Sequence, residues 1–285
     1  MPIRVFTTPS LERVARLSLC FNVPVLPGKQ FVVSADISKT SYAEVVELCR
    51  QWAAERAVQP NVSGHYICVT SVHGIILAKD DPTFAQILNS ADIATPDGMP
   101  VVWALRSFGC RGQQRVYGPT LMLHLCQSAA QNGHGIYLYG GRPEVLPLLE
   151  RRLGEQFPAL RIVGRFAPPF RPLTAAEDQQ VQQEIRQSDA DLVFIGISTP
   201  KQERWMFEHR QSFPGVTMIG VGAAFDFHAG WTAQAPAWMQ RLGLEWFFRL
   251  TTEPKRLWRR YLLVTPRFIP LWLVQRLKTV RESRA

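Results

Sequence analysis

The chain has 285 residues, 46% of them hydrophobic, which suits one α/β domain with an appendage or two small domains. Five cysteines (Cys20, Cys49, Cys68, Cys110, Cys126), odd in number and without metal-ligand spacing, argue against a disulfide framework or a zinc site and for a reducing, cytoplasmic setting. The net charge is +9, yet residues 241–285 carry eleven Lys/Arg against three Asp/Glu, so eight of the nine excess charges sit in the tail and point to an anionic partner there. No run of about 18 apolar residues occurs, so no transmembrane helix is expected, and no secretory signal is expected from residues 1–28.

Residues 1–28 show no clear period and read as a lead-in. A short strand is expected at 31–33. Ser41 and Glu44 have capping-box spacing and predict a helix to about residue 57. An apolar strand over 66–69 ends at Thr70; helical stretches follow at 75–79 and 83–89, then a strand at 91–94 that delivers Asp97. Residues 119–131 read as a helix, and 135–139 as a strand closed by Gly140 and Gly141. A helix over 143–156 begins with Pro143 near its first position. A strand at 160–166, a proline-rich loop at 168–172 and a helix over 174–186, capped by Thr174 with Glu177 three residues on, come next. Two further apolar strands are expected at 192–195 and 216–219. Strands alternating with helices predict a Rossmann-like, mostly parallel sheet with helices on both faces.

The last two strands carry the most information. Each breaks into glycine and polar residues where the strand should end: Gly196 to Glu203, and Gly220 to Phe227. In an open α/β sheet ligands bind beyond the carboxyl ends of the strands. Pro200 suits a helix start, and Lys201, Gln202 and Glu203 there suit recognition of a base, ribose or sugar hydroxyl, or equally a solvated helix-start cluster. Gly222 and Asp226 lie in the following strand-end loop, where Asp226 either orients hydroxyls or caps backbone amides. Gly140 and Gly141 either cradle a phosphate at a helix N-terminus or form a tight turn; neither they nor Gly220-Val221-Gly222 complete a dinucleotide fingerprint. Asp97 is followed by Gly98, whose backbone can turn sharply beside a ligand; the carboxylate is either chemical or a helix cap.

Three blocks carry a family resemblance: residues 95–103 (Thr95-Pro96-Asp97-Gly98-Met99 onward), 199–206 (Thr199-Pro200-Lys201-Gln202-Glu203 onward), and 220–226 continuing into 235–241 and 243–246. In this order and spacing, over residues 30–265, the chain resembles the WecB/TagA/CpsF family of bacterial glycosyltransferases (glycosyltransferase family 26). The resemblance implies inverting transfer of a hexose, N-acetylmannosamine foremost, with glucose or glucuronic acid as alternatives. The implied donor is a UDP-sugar and the acceptor a polyprenyl-diphosphate-linked saccharide of cell-surface polysaccharide assembly. It implies no metal and no cofactor. It places the base that takes the acceptor proton at Asp97, and donor contacts at Thr70 and Arg115. Two departures stand out: the family's Asn two residues after the Thr is absent, with His73 as a substitute, and Thr120 replaces an Asp after Arg115. Arg249, Arg256 and Arg259 match appendage arginines that the family folds over the site, where a diphosphate needs cations.

On an ideal helical wheel, residues 254–263 place Leu257, Trp258, Tyr261 and Leu262 on one face and Lys255, Arg256, Arg259 and Arg260 on the other. That is the pattern of a helix lying on an anionic membrane surface at the inner face of the plasma membrane. The apolar face is not a stacking groove, which argues against nucleic acid. Three segments follow: a lead-in (1–28), a catalytic domain (29–240) and a basic appendage covering the site (241–285). A non-catalytic nucleotide-sugar binder is the alternative, and the sequence leaves open a homo-oligomer. Asp189-Ala190-Asp191 matches the D-x-D metal motif of other glycosyltransferases but precedes its strand, at the wrong edge of the sheet.

Overall fold

The structure, a computed structural model, describes residues 24–59 and 61–282; most of the 1–28 lead-in, and Cys20 with it, lies outside them. A hairpin of β1 (Lys29–Val32) and β2 (Ala35–Ser38) precedes α1 (Tyr42–Val58). The capping box at the start of α1 is formed: Glu44 N–H donates to the Ser41 hydroxyl at 3.3 Å, and Glu44 Oε2 accepts from Ser41 N–H at 2.8 Å. The same device, with Thr174 and Glu177, opens α7 (Ala175–Gln187). Each N-cap contributes about 1 kcal/mol to its helix.

The main sheet has six strands, all parallel: β3 (His65–Thr70), β4 (Ile93–Pro96), β5 (Gly135–Gly140), β6 (Arg161–Phe166), β7 (Leu192–Gly196) and β8 (Thr217–Gly220), in the order β4-β3-β8-β7-β5-β6. The remaining helices of the body are α2 (Val72–Asp80), α3 (Pro82–Asn89), α4 (Met99–Ser107), α5 (Gly118–Asn132), α6 (Val145–Gln156), α8 (Lys201–His209) and α9 (Ala224–His228).

Alternate residues of each strand feed two cores. Tyr66, Cys68, Tyr137, Tyr139, Val193, Ile195 and Met218 pack on one face, against helices α2, α3, α4, α7 and α8. Their neighbours Ile67, Ile136, Leu138, Leu192, Phe194 and Ile219 pack on the other, against α1, α5 and α6. This is why the strands read as continuous apolar runs: both faces are covered. The sheet comes so close at its carboxyl end that a Cβ on Gly140 would lie 2.6 Å from the carbonyl carbon of Gly196. Only glycine permits that approach.

The appendage is helical and docked. It comprises α10 (Ala237–Arg241), α11 (Glu245–Thr252), α12 (Pro254–Trp258), a π turn (Arg259–Val264), a short 3-10 turn and α13 (Phe268–Glu282). Phe268 is buried in the first core. Trp272 Nε1–H donates to Ser107 Oγ at 3.0 Å, Gln275 bridges to Val33 N–H and Phe31 O at 2.7 and 2.9 Å, and Arg267 forks onto Asp80. The basic tail therefore returns to the hairpin and α2 rather than trailing free.

Candidate active site

The carboxyl ends of β3, β4, β7 and β8 open into one cleft of about 320 Å³. Asp97, Gln202, Gly222 and Asp226 line it from the body, and Arg249, Arg256 and Arg260 from the appendage. A smaller chamber of about 110 Å³ adjoins it, sharing His73, Asp97, Glu245, Arg249 and Arg260 and adding Gly98, Arg115, Trp246 and Tyr261.

Asp97 follows β4 directly. Its N–H donates to Thr70 O at 2.9 Å, which ties the end of β4 to the end of β3. Gly98, at φ 91°, then turns the chain into α4, a conformation that residues with a Cβ rarely adopt. The Asp97 side chain caps nothing: it points to Arg115, whose Nε–H and Nη2–H both donate to Oδ1, at 3.1 and 2.9 Å. Oδ2 has no hydrogen-bond partner among the described residues. Burial raises the Asp97 pKa above the ordinary carboxylate range; Arg115 and Arg260 oppose this, and Glu245 adds to it. Burial works against the Arg115 charge, but Asp97 and Glu245 outweigh it and raise the arginine's pKa.

The amide of Gln202 is fixed at both ends. Its Oε1 accepts from Gly222 N–H at 3.1 Å, and its Nε2–H donates to Glu203 Oε1 at 3.0 Å. Glu203 lies beneath it, 2% exposed, and also accepts from the Thr199 hydroxyl at 2.8 Å. Burial raises its pKa as well, and Oε2 has no partner. Gln202 thus meets the cleft while Glu203 supports it from behind. Asp226 is partly buried, its pKa raised by burial and opposed by Arg142, Arg256 and Arg249.

His73 lines both chambers. Burial, then the neighbouring Arg260, push its pKa down to about 3, so the ring is neutral at physiological pH. Its Nδ1 is buried without a partner.

Several residues expected at the site are not brought into the cleft. The Thr70 hydroxyl turns back onto Cys68 O at 3.3 Å. Lys201 is exposed on the outer side of α8. Gly140 and Gly141 serve the β5–β7 approach; Gly141 N–H donates to Gly196 O at 3.1 Å. Arg259 is exposed and lies over the Trp258 ring at 5.3 Å. The arginine that enters is Arg260, which the ideal wheel assigned to the outer cationic face. The chain widens into a π turn at Arg259, and a π turn breaks the 3.6-residue period on which the wheel rests. Arg260 donates to Ser71 Oγ at 3.3 Å, its Nε is buried without a partner, and burial lowers its pKa. The Arg249 Nε is likewise buried and unpartnered.

Glu245 was visible in sequence only as part of the third motif block. It accepts from Arg115 at 2.7 Å and from the Tyr117 hydroxyl at 3.0 Å, a contact between appendage and body across 130 residues of sequence. Asp189 and Asp191 lie at the amino end of β7, away from the cleft, paired with Arg161 and Arg56. Among the described residues no three His, Cys, Asp or Glu side chains gather to hold a metal ion.

A carboxylate, a clamped amide and two arginines whose Nε groups are buried without a partner (Arg249 and Arg260) meet at the carboxyl edge of a parallel sheet, where α/β enzymes bind their ligands. The family is specific. The model of the glycosyl transferase WecG/TagA/CpsF family matches residues 31–282, and the chain belongs to that family. It is 31% identical over 192 residues to the N-acetylglucosaminyldiphosphoundecaprenol N-acetyl-beta-D-mannosaminyltransferase of Bacillus spizizenii, covering 67% of this chain and 72% of that protein. The protein of the same description from Bacillus subtilis is 31% identical over 187 residues, 66% of this chain and 71% of its own length.

Proposed function

We propose that the chain transfers N-acetylmannosamine, with inversion, from UDP-N-acetylmannosamine to a polyprenyl-diphosphate-linked N-acetylglucosamine. The observation that carries this is the free Oδ2 of a partly buried Asp97 in a cleft also lined by Arg249, Arg256 and Arg260. Asp97 takes the proton of the acceptor hydroxyl. The acceptor oxygen bonds to the anomeric carbon as that carbon's bond to the diphosphate breaks, and the electron pair leaves with UDP. A carboxylate with a raised pKa is a better base for this than an ordinary one. The arginines neutralise the departing diphosphate, the fixed Gln202 amide offers its second N–H to the donor, and Asp226 faces the sugar hydroxyls.

The acceptor is held in a lipid layer, and the appendage suits one. Leu262, Leu263, Leu273 and Leu277 are each about half exposed or more, beside exposed Lys255, Arg259, Lys278 and Arg281. No described helix is long and apolar enough to cross a membrane. The reading is of a chain resting on an anionic inner leaflet with the cleft at the surface.

The test is UDP release from a panel of UDP-sugars (N-acetylmannosamine, N-acetylglucosamine, glucose, glucuronic acid) with a short-chain lipid-diphosphate N-acetylglucosamine, with and without EDTA. Acceptor-dependent release from UDP-N-acetylmannosamine, unchanged by EDTA, is expected. Release from another donor alone refutes the sugar assignment, and release from none refutes the transferase reading.

A further inference from the structure

Arg115 makes an unusual contact with Asp97. An arginine beside a carboxylate commonly forks, two parallel N–H groups meeting two oxygens. Here both N–H groups fall on Oδ1, and Oδ2 is left open to the cleft. The reason is visible one residue further out. Arg115 Nη2 is shared with Glu245 Oε2, at 2.7 Å, the shorter of its two bonds. Glu245 itself has little freedom: Oε1 accepts from the Tyr117 hydroxyl at 3.0 Å, and that hydroxyl accepts from Gln234 Nε2 at 3.1 Å. The Tyr117 ring lies 3.9 Å from the guanidinium and fixes its plane. Glu245 and Arg115 are 13% and 15% exposed, so water competes weakly for either.

We infer that Glu245 is a positioning residue: by holding one arm of Arg115 it confines that arginine to a single oxygen of Asp97 and leaves Oδ2 free to receive the acceptor proton. The inference rests on the reading of Asp97 as the base. The charged and titratable groups around Asp97 are Arg115 and Tyr117 from the segment leading into α5, Glu245 from α11, Arg260 from the π turn and Tyr42 from α1; Arg249 flanks Glu245, and neutral His73 flanks Arg260. Among them Glu245 is the one carboxylate, and its charge raises the proton affinity of Asp97 as burial does. Without it, Arg115 is free to fork onto both oxygens, which both occupies Oδ2 and weakens the base. Because Glu245 belongs to the appendage, the base reaches its working state only when α11 is docked.

Two measurements on the full chain test this. The first is a carbon-13 carboxyl NMR titration of Asp97, assigned by its loss in Asp97→Asn, and it needs no substrate. In Glu245→Gln the Asp97 resonance is expected to titrate at lower pH than in the wild type, and in Glu245→Asp, which keeps the charge, close to it. The second is kcat against pH with UDP-N-acetylmannosamine. Glu245→Gln is expected to move the acidic limb to lower pH and reduce the plateau roughly tenfold, with KM for the donor within about twofold and partial rescue in Glu245→Asp. Should Glu245→Gln not fold, Tyr117→Phe, which frees Glu245 Oε1 without a change of charge, is expected to give a smaller shift of the same sign. An Asp97 titration unmoved in the folded variants overturns the inference, as does a loss confined to donor KM. Full activity of Asp97→Asn overturns the base reading instead, so the two failures are distinguishable.

Discussion

Strand β4 has an aspartate at each end, and the two are treated oppositely. Asp92 precedes the strand and Asp97 follows it. Asp92 is 8% exposed, and the protein completes it: Tyr66 N–H and Arg210 each donate to it at 2.9 Å, and the His65 ring lies 3.3 Å away. Burial pushes its pKa up, but these donors outweigh burial and hold it below the ordinary range. Asp97 is partly buried, keeps one oxygen without a protein partner, and has its pKa raised. Carboxylates at the amino edge of this sheet are completed by the protein; those at the carboxyl edge (Asp97, Glu203, Asp226) are left in want of protons or cations. An incompletely satisfied polar group costs stability, so such groups persist where something else is meant to complete them.

The largest separation of the two edges comes from deleting the appendage. A chain ended at Arg241 loses Glu245, Arg249, Arg256 and Arg260 together, so transfer is expected to fall to background in a UDP-release assay, with loss of binding to anionic vesicles. Unchanged turnover and vesicle binding would detach the appendage from both roles. The two aspartates should dissociate cleanly. Asp92→Ala leaves Tyr66 N–H and Arg210 without their acceptor, about 1–3 kcal/mol for each buried group. It is expected to lower the denaturation midpoint while the folded fraction turns over normally. Asp97→Asn is expected to do the reverse.

Within the appendage, Arg260 and Arg259 are neighbours with opposite expectations. Arg260→Ala removes a charge-assisted contact and is expected to cut kcat/KM about tenfold to a hundredfold. Arg259→Ala is expected to leave turnover with a soluble acceptor within about twofold and to weaken vesicle flotation. Equal losses from the two would mean the π turn does not select between them.

The smallest effect is in the pH dependence of stability. Asp97 has a folded pKa raised above its unfolded value of about 3.9, so the native state binds more protons there. Its ionisation therefore removes stability as pH rises from that value through the folded pKa. Asp92, lowered, has the opposite sign: its contribution is fully present above about 3.9 and is lost as pH falls through its folded pKa. Urea unfolding of the wild type between pH 4 and 7 is expected to lose stability relative to Asp97→Asn; a constant difference across that range would argue that Asp97 is not raised.

Much of the fold was legible because parallel strands covered on both faces leave apolar runs, and because Ser41/Glu44 and Thr174/Glu177 announce helix starts. The hairpin strand β2 was missed: Ala35-Asp36-Ile37-Ser38 is short and polar at its edge. At the site, Asp97, Gln202 and Asp226 could be read from strand ends, since strand-end chemistry is local in sequence. Arg260 and Glu245 could not. Arg260 depends on a π turn that no period reveals, and Glu245 on a contact with Arg115 across 130 positions that only docking creates.

The most direct test of the account is single-turnover transfer by Asp97→Asn, with UDP-sugar affinity measured on the same sample by calorimetry. Slowing of roughly 10²–10⁴ with donor affinity within about twofold is expected of a positioned base. Near-native transfer by that variant would contradict the claim that the carboxyl edge of β4 carries the chemistry.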